Sequence, residues 1–277
     1  MTFSKDDASG MSPEMQLTEL AALAELQQQL DATRLELQEL TYTVSHDLRA
    51  PLRHIIAYVQ VITEDWPDVP PDVAAHLNTI RQSAQWLSRQ LEGLTQLSRL
   101  GQQVLQFQAM DINVMVQEVI GTIMTNHPTR HVQWLIAKDI PLIQTDAALL
   151  RVALSNLLGN AVKFSQGRSL ARITLTWQVS DNPAQCQISV RDNGVGFAST
   201  QTKALFKVFG KLHPAREFEG LGMGLVCSRK IMERLGGSIS IEGVVDQGCC
   251  VTICLPLATR VTRPSDRFGS DSDSCQK

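Results

Sequence analysis

The sequence has few aromatic residues, no long apolar run and no closely spaced cysteine pair, and each absence excludes a class of protein. Aromatic residues make up 5% of the 277 residues, although the hydrophobic share of 43% is enough for real cores. No stretch approaches the roughly 18 consecutive apolar residues of a membrane helix, so we expect no membrane span. The first dozen residues also lack the apolar segment of a signal peptide.

Six cysteines are scattered along the chain without a C-x-x-C pair, and a chain of this length needs no disulfide in order to fold. This usage is typical of reduced thiols, so the expected location is cytoplasmic. The cysteines are Cys186, Cys227, Cys249, Cys250, Cys254 and Cys275.

A basic surplus is lacking as well, since 25 Lys and Arg residues stand against 28 Asp and Glu, for a net charge of −3. A protein that grips nucleic acid needs such a surplus to neutralise phosphates, so we expect no nucleic-acid partner. The net charge of the whole chain does not exclude a local basic pocket for one small anion.

Residues 14–64 are predicted to form one long helix, because Ala, Leu, Gln and Glu dominate this range and its first Pro or Gly is Pro51. Apolar residues spaced three and four apart predict a coiled coil over 14–40. Between residues 44 and 52 the three–four spacing of the apolar residues is interrupted, and Pro51 removes a backbone hydrogen-bond donor, so we expect the helix to bend there. The apolar positions are Leu23, Leu26, Leu30, Leu37, Leu40, Val44, Leu48, Leu52, Ile55, Val59 and Ile62.

The segment Trp66–Asp72 breaks this helix, and Asp72 or a neighbour is expected to cap the next one. A hairpin of two such helices, over residues 41–103, cannot bury its apolar stripe alone. We therefore predict a homodimer in which two hairpins form a four-helix bundle. The apolar positions of the second helix are Leu77, Ile80, Ala84, Leu87, Leu91 and Leu94.

From about residue 104 the pattern changes to an α/β domain, predicted over 104–258. Residues 1–13 and 259–277 are expected to be a disordered leader and tail. The predicted helices are 111–126, 146–164 and 224–235, and the predicted strands are 131–136, 171–179, 185–191, 238–243 and 249–256.

Four motifs carry candidate chemistry, and the first is the run from Ser45 to Leu52 on the long helix. His46 lies off the apolar seam, and a neutral imidazole is a competent nucleophile near pH 7. The adjacent Asp47 can hold the imidazole proton and stabilise the imidazolium. The alternative is a solvated polar pair on a helix surface.

The second motif is N-x-x-x-N-x-x-K, formed by Asn156, Asn160 and Lys163. The two amides project from one helix face, and Lys163 lies near the same side. Amide oxygens that can bind a hard cation, together with an ammonium group, suit a Mg²⁺–triphosphate. The alternative is a polar stripe on a surface helix.

The third motif is D-N-G-V-G, with Asp192, Gly194 and Gly196 directly after a strand. A carboxylate at a strand end can accept a hydrogen bond from an exocyclic amine, and the glycines let the backbone pass close to a flat ring. The alternative is an ordinary turn.

The fourth motif is G-x-G-x-G, with Gly220, Gly222 and Gly224 before a helix. Free backbone N–H groups at the positive end of a helix can bind phosphate, although this spacing alone is unspecific. Between the third and fourth motifs we expect a helix over 205–209. It is followed by a mobile basic segment able to close over phosphates, containing Lys211, His213 and Arg216.

In their order and combination these motifs resemble the H, N, G1, F and G2 boxes of the sensor histidine kinases, over roughly residues 40–257. The run S-H-D-L-R-A-P-L-R and the short lid ending in E-F-E-G are most similar to the phytochrome-related branch. The resemblance implies a dimeric antiparallel helical hairpin followed by a GHKL-type α/β sandwich that binds ATP. The implied partner is a response-regulator receiver domain.

The resemblance also implies a role for each matching residue. His46 is implied as the phosphoacceptor, with Asp47 as its activating neighbour. Asn156 and Asn160 are implied as Mg²⁺–phosphate residues, and Lys163 as a phosphate contact. The remaining implied nucleotide contacts are Phe164 beside the adenine, Asp192 as the amine acceptor, Gly194 and Gly196 in its loop, Lys211 in the lid, and Gly220, Gly222 and Gly224 around the phosphates.

Two positions depart from the family pattern. Ala50 stands four residues after His46, where many relatives have a Thr or Asn that helps to position water for dephosphorylating the regulator. We therefore predict weak or absent phosphatase activity. Leu221 stands where a Thr is usual, so a hydroxyl near the phosphates is lost.

Two other functions stay open at the level of sequence: a non-catalytic nucleotide-binding scaffold or pseudokinase, and a GHKL ATPase that uses hydrolysis for conformational work. No sensory domain fits ahead of residue 14, so the input is expected from a separate sensor protein or an upstream domain. The cognate regulator, and the choice between cis and trans phosphorylation, do not follow from the sequence.

Overall fold

The computed structural model describes residues 13–181, 184–212 and 217–257, and divides the chain into two compact units between Gln102 and Gln103. Apart from Pro13, the predicted leader lies outside the described residues, as does the predicted tail. In the part of the chain that the structure describes, no helix has the length and apolar character needed to cross a membrane.

The first unit is a hairpin of two helices, α1 (Pro13–Asp65) and α2 (Pro71–Gln102). The α1 helix is continuous through Pro51, so the proline does not break it, and no break separates the predicted coiled coil from the hairpin. Pro71 opens α2, where its fixed φ suits the first helical position. Asp72 lies in the first turn rather than at the cap, and there its negative charge interacts favourably with the positive end of the helix dipole.

Only part of the apolar stripe of the hairpin is buried within one chain. Leu52, Ala84 and Leu91 form a core cluster, against which Ile56 packs. The stripe positions that remain well exposed are Val44, Leu48, Ile55, Ile62, Ile80 and Leu87. The leucines of the first heptads are also exposed, namely Leu23, Leu26, Leu30, Leu37 and Leu40.

The second unit is built on a five-stranded mixed sheet with the order β2-β4-β5-β7-β6. Strand β2 pairs with β4 in parallel, and all other pairs of this sheet are antiparallel. Its strands are β2 (Val132–Ile136), β4 (Ala171–Asp181), β5 (Ala184–Asp192), β6 (Ser238–Val244) and β7 (Gly248–Pro256). A separate two-stranded sheet pairs β1 (Phe107–Met110) with β3 (Ile143–Asp146).

Three helices of the second unit are longer than two turns, and two of them begin at aspartate caps. They are α3 (Ile112–Asn126), α4 (Ala147–Phe164) and α6 (Gly224–Arg234). Asp111 caps α3, and Asp146 caps α4 by accepting from the Leu149 N–H at 3.0 Å. Burial acts to raise the pKa of Asp146, but hydrogen bonds from the backbone N–H groups of Gln106, Leu149 and Ala148 outweigh it and lower the pKa.

The core lies where α4 and α6 pack on the sheet. Along β4 and β5 alternate residues are buried, while the residues between them are polar and more exposed. The fully buried side chains include Ile173 and Leu175 from β4, Ile188 from β5, and Leu150, Leu154 and Leu158 from α4.

The three helices and five strands predicted for this domain are present, with bounds shifted by one or two residues. Strands β1 and β3 were not predicted, because each has only four residues and lacks a clear alternation. No helix spans residues 205–209, so that prediction is wrong. A 3₁₀ turn (Ser199–Gln201) is followed by the short helix α5 (Thr202–Leu205), and the chain continues in turns after Leu205. Phe209 has a φ of 61°, which a right-handed helix cannot accommodate.

We predict that Leu175→Ala destabilises the second unit by about 2–5 kcal/mol, because the side chain is fully buried and its loss leaves a cavity. The matched control is Leu135→Ala on the neighbouring strand, where the leucine is 49% exposed and the cost should stay below about 1 kcal/mol. Equilibrium urea unfolding would measure both. Trp134 and Trp177 serve as the fluorescent probes, in a background where Trp66 and Trp86 of the first unit are replaced by Phe. Equal losses for the two leucines would contradict the assigned core.

Candidate active site

The imidazole of His46 is presented to solvent on the surface of α1. Its side chain is 65% exposed, and Nδ1 lies 3.3 Å from Oδ1 of Asp47, which is itself 72% exposed. The ring of Tyr42, one turn earlier, stacks on the imidazole at a centroid distance of 6.5 Å. With the proton on Nδ1 directed at the carboxylate, the lone pair of Nε2 is available for reaction.

Within the second unit, the N-x-x-x-N-x-x-K and G-x-G-x-G motifs lie around one open cavity of about 1100 Å³. Helix α4 places Asn156, Asn160 and Lys163 on a single face, as their spacing predicts. Opposite them, Gly220, Gly222 and Gly224 lead into α6, whose N-cap residue Met223 makes no side-chain hydrogen bond to the helix. Lys211 and Leu221 also line this cavity.

The charges around this cavity suit an anion. Partial burial, and next the nearby Lys211 ammonium, lower the pKa of Lys163, while Glu219 acts in the opposite sense. The Lys163 ammonium lies 4.4 Å from the centroid of the Phe164 ring, and Phe218 packs on that ring at 5.1 Å. An anionic ligand would remove the repulsion between the two lysines. His213 and Arg216, the other basic residues of the predicted lid, lie outside the described residues.

The carboxylate of Asp192 is buried at the end of β5 and is held by hydrogen bonds from two residues. Its Oδ1 accepts from the Gly194 N–H at 2.8 Å and from the Cys249 N–H at 3.3 Å, and its Oδ2 accepts from the Cys249 thiol at 3.0 Å. Burial raises the pKa of Asp192, and these hydrogen bonds act in the opposite sense. Burial, and then the charge of Asp192, raise the pKa of Cys249, so this residue stays a neutral thiol donor.

A second cavity is mainly apolar and has Asp192 in its wall. Leu157, Ala161, Val190 and Val251 contribute aliphatic surface to it. The two cavities share Asn160, Phe164, Leu205 and Leu225, so they lie side by side, and together we call them the groove. A flat apolar ring with an amine substituent fits one end, and a string of phosphates fits the other.

The glycines that follow Asp192 are required by the backbone around them. A Cβ on Gly194 would lie 2.4 Å from the Phe164 carbonyl oxygen, and one on Gly196 would lie 1.9 Å from that of Val244. Gly196 also has a φ of 61°, in the left-handed region. The sequence predicts that these glycines let a flat ring approach the backbone. In the structure they let the loop pack against the end of α4 and against the β6–β7 hairpin.

The residues around the phosphate end also fit a Mg²⁺ ion bound together with a triphosphate. Among the described residues, no group of three or more His, Cys, Asp and Glu side chains could hold a metal by itself. Mg²⁺ commonly takes only one or two protein oxygens and completes its shell with phosphate and water. The Asn156 side-chain NH₂ donates to the Gly224 carbonyl at 3.4 Å, which leaves the amide oxygen available as a ligand.

Three residues of this site were not predicted from the sequence: Cys249, Phe218 and Arg168. Cys249 faces Asp192 only because β5 and β7 pair antiparallel, with Arg191 opposite Cys250. Phe218 is buried against Phe164 in a segment that has no periodic pattern. Arg168 belongs to no motif and is identified only by its contacts with the loop after Asp192.

Two protein-family models match this chain. The His Kinase A (phospho-acceptor) domain matches residues 36–103, and the histidine kinase-, DNA gyrase B- and HSP90-like ATPase matches residues 145–259. The first range contains His46, and the second contains the groove described above.

Curated relatives match across both ranges. The methanogenesis regulatory histidine kinase FilI of Methanothrix harundinacea is 31% identical over 239 residues, which are 85% of this chain and 26% of that protein. Cyanobacterial phytochrome B of Nostoc sp. is 30% identical over 229 residues, 82% of this chain and 30% of that protein. The chain thus spans between a quarter and a third of the length of these relatives. Placement in the phytochrome-related branch stays a prediction.

The fold is also similar to that of a solved kinase. The crystal structure of full-length ShkA in complex with AMPPNP aligns with a TM-score of 0.58 and 24% identity, over 80% of this chain and 46% of that one. The predicted fold class, a helical hairpin followed by a GHKL-type α/β domain, is confirmed. The chain belongs to the sensor histidine kinases, and it carries their phosphoacceptor region and their ATP-binding domain.

Proposed function

We propose that this protein is an ATP-dependent histidine kinase that phosphorylates its own His46 and passes the phosphoryl group to an aspartate of a response regulator. The observation that carries the proposal is the groove of the second unit, made of two adjoining cavities. One end of this groove is apolar with a buried carboxylate, and the other is lined by amides, lysines and glycines. A nucleoside triphosphate has the same sequence of chemical groups.

Adenine is the base that suits the apolar end. Its exocyclic amine donates a hydrogen bond, and the buried Asp192 offers a carboxylate oxygen to accept it. A base with a carbonyl oxygen at that position would place this hydrogen-bond acceptor against the Asp192 carboxylate, which is also an acceptor. Phe164 and the aliphatic wall supply the apolar surface on which the ring rests.

The phosphates then lie between α4 and the glycine loop. Lys163 and Lys211 supply positive charge, and the segment from Gly220 to Gly224 lines the cavity at the N-terminal end of α6, where backbone N–H groups and the helix dipole favour an anion. Asn156 and Asn160 would hold Mg²⁺ through their amide oxygens, together with phosphate oxygens. When bound, the ion neutralises charge on the phosphates.

The reaction at His46 uses the lone pair of Nε2. Nε2 forms a bond to the γ-phosphorus as the bond between that phosphorus and the β,γ-bridging oxygen breaks, and ADP leaves. The ring acquires a positive charge, which Asp47 stabilises through the proton on Nδ1. Loss of that proton to the carboxylate or to solvent gives the neutral phosphohistidine.

The homodimer is part of the same proposal, because one hairpin leaves half of its stripe exposed. Ile55, Ile80 and Leu87 are 42%, 46% and 40% exposed in the single chain, beside the buried Leu52 and Leu91. Pairing two hairpins would bury these side chains at about 25 cal/mol for each Å² of apolar surface. The exposed leucines of residues 21–40 extend the same seam as a coiled coil.

The catalytic proposal predicts acid-labile labelling of the wild type when it is incubated with γ-labelled ATP and Mg²⁺. His46→Gln should lose this label entirely, because the nucleophile is gone, but should bind ATP as the wild type does. Asp192→Asn should raise the ATP dissociation constant by about tenfold or more, since it replaces a buried acceptor.

The same assay separates the alternatives. Nucleotide binding without any label would favour the non-catalytic scaffold or pseudokinase, and would overturn the kinase proposal. Free phosphate released equally by the wild type and by His46→Gln would indicate an ATPase instead.

Weak phosphatase activity is proposed from Ala50, which is exposed four residues after His46 on the same helix face. An alanine has no group to orient water, so the wild type should dephosphorylate its phospho-regulator slowly. Ala50→Thr should raise that rate by about tenfold, with autophosphorylation changed less than twofold. Ala50→Val is the control of matched shape, since it lacks the hydroxyl. Fast dephosphorylation by the wild type would contradict the proposal.

The dimer proposal predicts that Leu87→Glu raises the dimer dissociation constant by at least about tenfold, because it places a charge in an apolar interface. The control is Gln82→Glu, which adds the same charge at an exposed position on the other side of α2. Analytical ultracentrifugation across a dilution series would measure both. If Leu87→Glu dimerised as tightly as Gln82→Glu, the proposed interface would be wrong.

A further inference from the structure

Arg168 lies in the turn between α4 and β4, outside every motif of the site. It is three residues beyond Ser165, the C-cap of α4, and its side chain is 36% exposed. An exposed turn is a common place for a solvated arginine. This side chain instead reaches back to two other segments of the second unit.

The guanidinium of Arg168 makes three hydrogen bonds to backbone carbonyls. Nε donates to the Asn193 carbonyl at 2.8 Å, and Nη2 donates to the carbonyls of Gly194 at 3.1 Å and Asp246 at 2.6 Å. The Asp246 carboxylate lies 3.8 Å from Nη2 and adds an exposed ion pair. The planar, rigid fork of an arginine can hold several carbonyls at once, which a lysine cannot do.

These carbonyls come from the loop after Asp192, which continues into the wall of the apolar cavity at Val195 and Gly196, and from the turn between β6 and β7. Asn193 and Gly194 directly follow Asp192, and Asp246 is in the turn between β6 and β7, where its φ is 60°. Beside the arginine, the Asp246 N–H donates to the Val195 carbonyl at 2.7 Å, which ties the same segments together. The loop over residues 193–196 is therefore held by the Arg168 side chain and by the backbone of the β6–β7 turn.

The position of this loop determines where the Asp192 carboxylate points. The Gly194 N–H donates to Asp192 Oδ1, so a displaced Gly194 takes away one of the bonds that orient the carboxylate. Val195 and Gly196 form part of the wall of the apolar cavity. A change at Arg168 would thus reach the base-binding end of the groove without touching the phosphate end.

We propose that Arg168 is a positioning residue for adenine recognition, which acts by clamping residues 193–194 to the turn at Asp246. This role rests on the proposed function, because it assumes that ATP is bound in the groove. Arg168 touches no reacting atom. Its contribution is to the affinity and selectivity for the base.

The test is Arg168→Met, which keeps an unbranched apolar stem that reaches as far as Nε and removes the donors. We expect the KM for ATP and the calorimetric dissociation constant for ADP to rise about five- to tenfold, with the maximal rate of autophosphorylation changed less than twofold. The preference for ATP over GTP should fall by a similar factor. Arg168→Lys should recover little, since one ammonium cannot hold three carbonyls.

The matched control is Arg172→Met, four residues later and exposed on β4. Only its backbone N–H bonds to this loop, by donating to the Asn193 side chain at 2.9 Å, and the substitution leaves that N–H in place. We expect its ADP affinity and its ATP preference to match those of the wild type.

A double-substitution cycle with Asp192→Asn tests whether the effect passes through the carboxylate. In the Asp192→Asn background, Arg168→Met should weaken ADP binding less than twofold further. Equal weakening in both backgrounds would overturn the proposal. A lower melting temperature and a lower maximal rate at unchanged KM and selectivity would also overturn it, because Arg168 would then only stabilise the fold. If the wild type binds ADP but acquires no acid-labile label, the kinase proposal fails. The calorimetric ADP dissociation constants of the variants would still test the role of Arg168.

Discussion

A buried carboxylate must be surrounded by donors, and much of the second unit is arranged to meet this requirement at Asp192. Moving a charge out of water is costly unless hydrogen bonds replace the lost solvation. Here the N–H groups of Gly194 and Cys249 and the Cys249 thiol donate to it. One oxygen, Oδ2, accepts only the thiol among these bonds, and a thiol is a weak donor. This oxygen therefore keeps capacity for a stronger donor such as an aromatic amine.

The need to place these donors explains several local features. Gly194 approaches the end of α4 so closely that a side chain would collide with the Phe164 carbonyl. A Cβ on Gly248 would lie 2.0 Å from the Asp192 carbonyl oxygen, so the β6–β7 hairpin can bring Cys249 to the carboxylate only if glycine precedes it. Arg168 then ties the loop to the same hairpin. Each contact brings a segment distant in sequence to the end of β5.

The sequence predicted the parts of the fold and site that depend on local patterns. The i, i+4 spacing of Asn156 and Asn160 placed both amides on one face of α4, since helical geometry requires it. The β-rich runs predicted the five longer strands, and the helices predicted to begin at Asp111 and Asp146 are present, with these two residues as their N-caps.

Contacts that depend on register or on turns could not be predicted in the same way. Cys249 opposes Asp192 only through the antiparallel pairing of β5 and β7, and a shift of one residue would direct its thiol to the other face of the sheet. The apolar residues Leu205, Phe206 and Phe209 suggested a helix, but the backbone turns at Phe209. Arg168 gave no signal at all, because its partners are carbonyls that every residue possesses.

The chain places its two candidate carboxylates, Asp47 and Asp192, in opposite environments, and this difference suits the tasks proposed for them. Asp47 is 72% exposed and lies 3.3 Å from the imidazole of His46. In water such a pair is weak, so the ring can exchange partners as it reacts. Asp192 is 95% removed from solvent, and burial raises its pKa. An acceptor in that position discriminates strongly, because a base that fails to donate leaves a buried carboxylate oxygen unsatisfied. Under the proposed function, solvent exposure therefore suits Asp47, which would assist the chemistry, and burial suits Asp192, which would select the nucleotide.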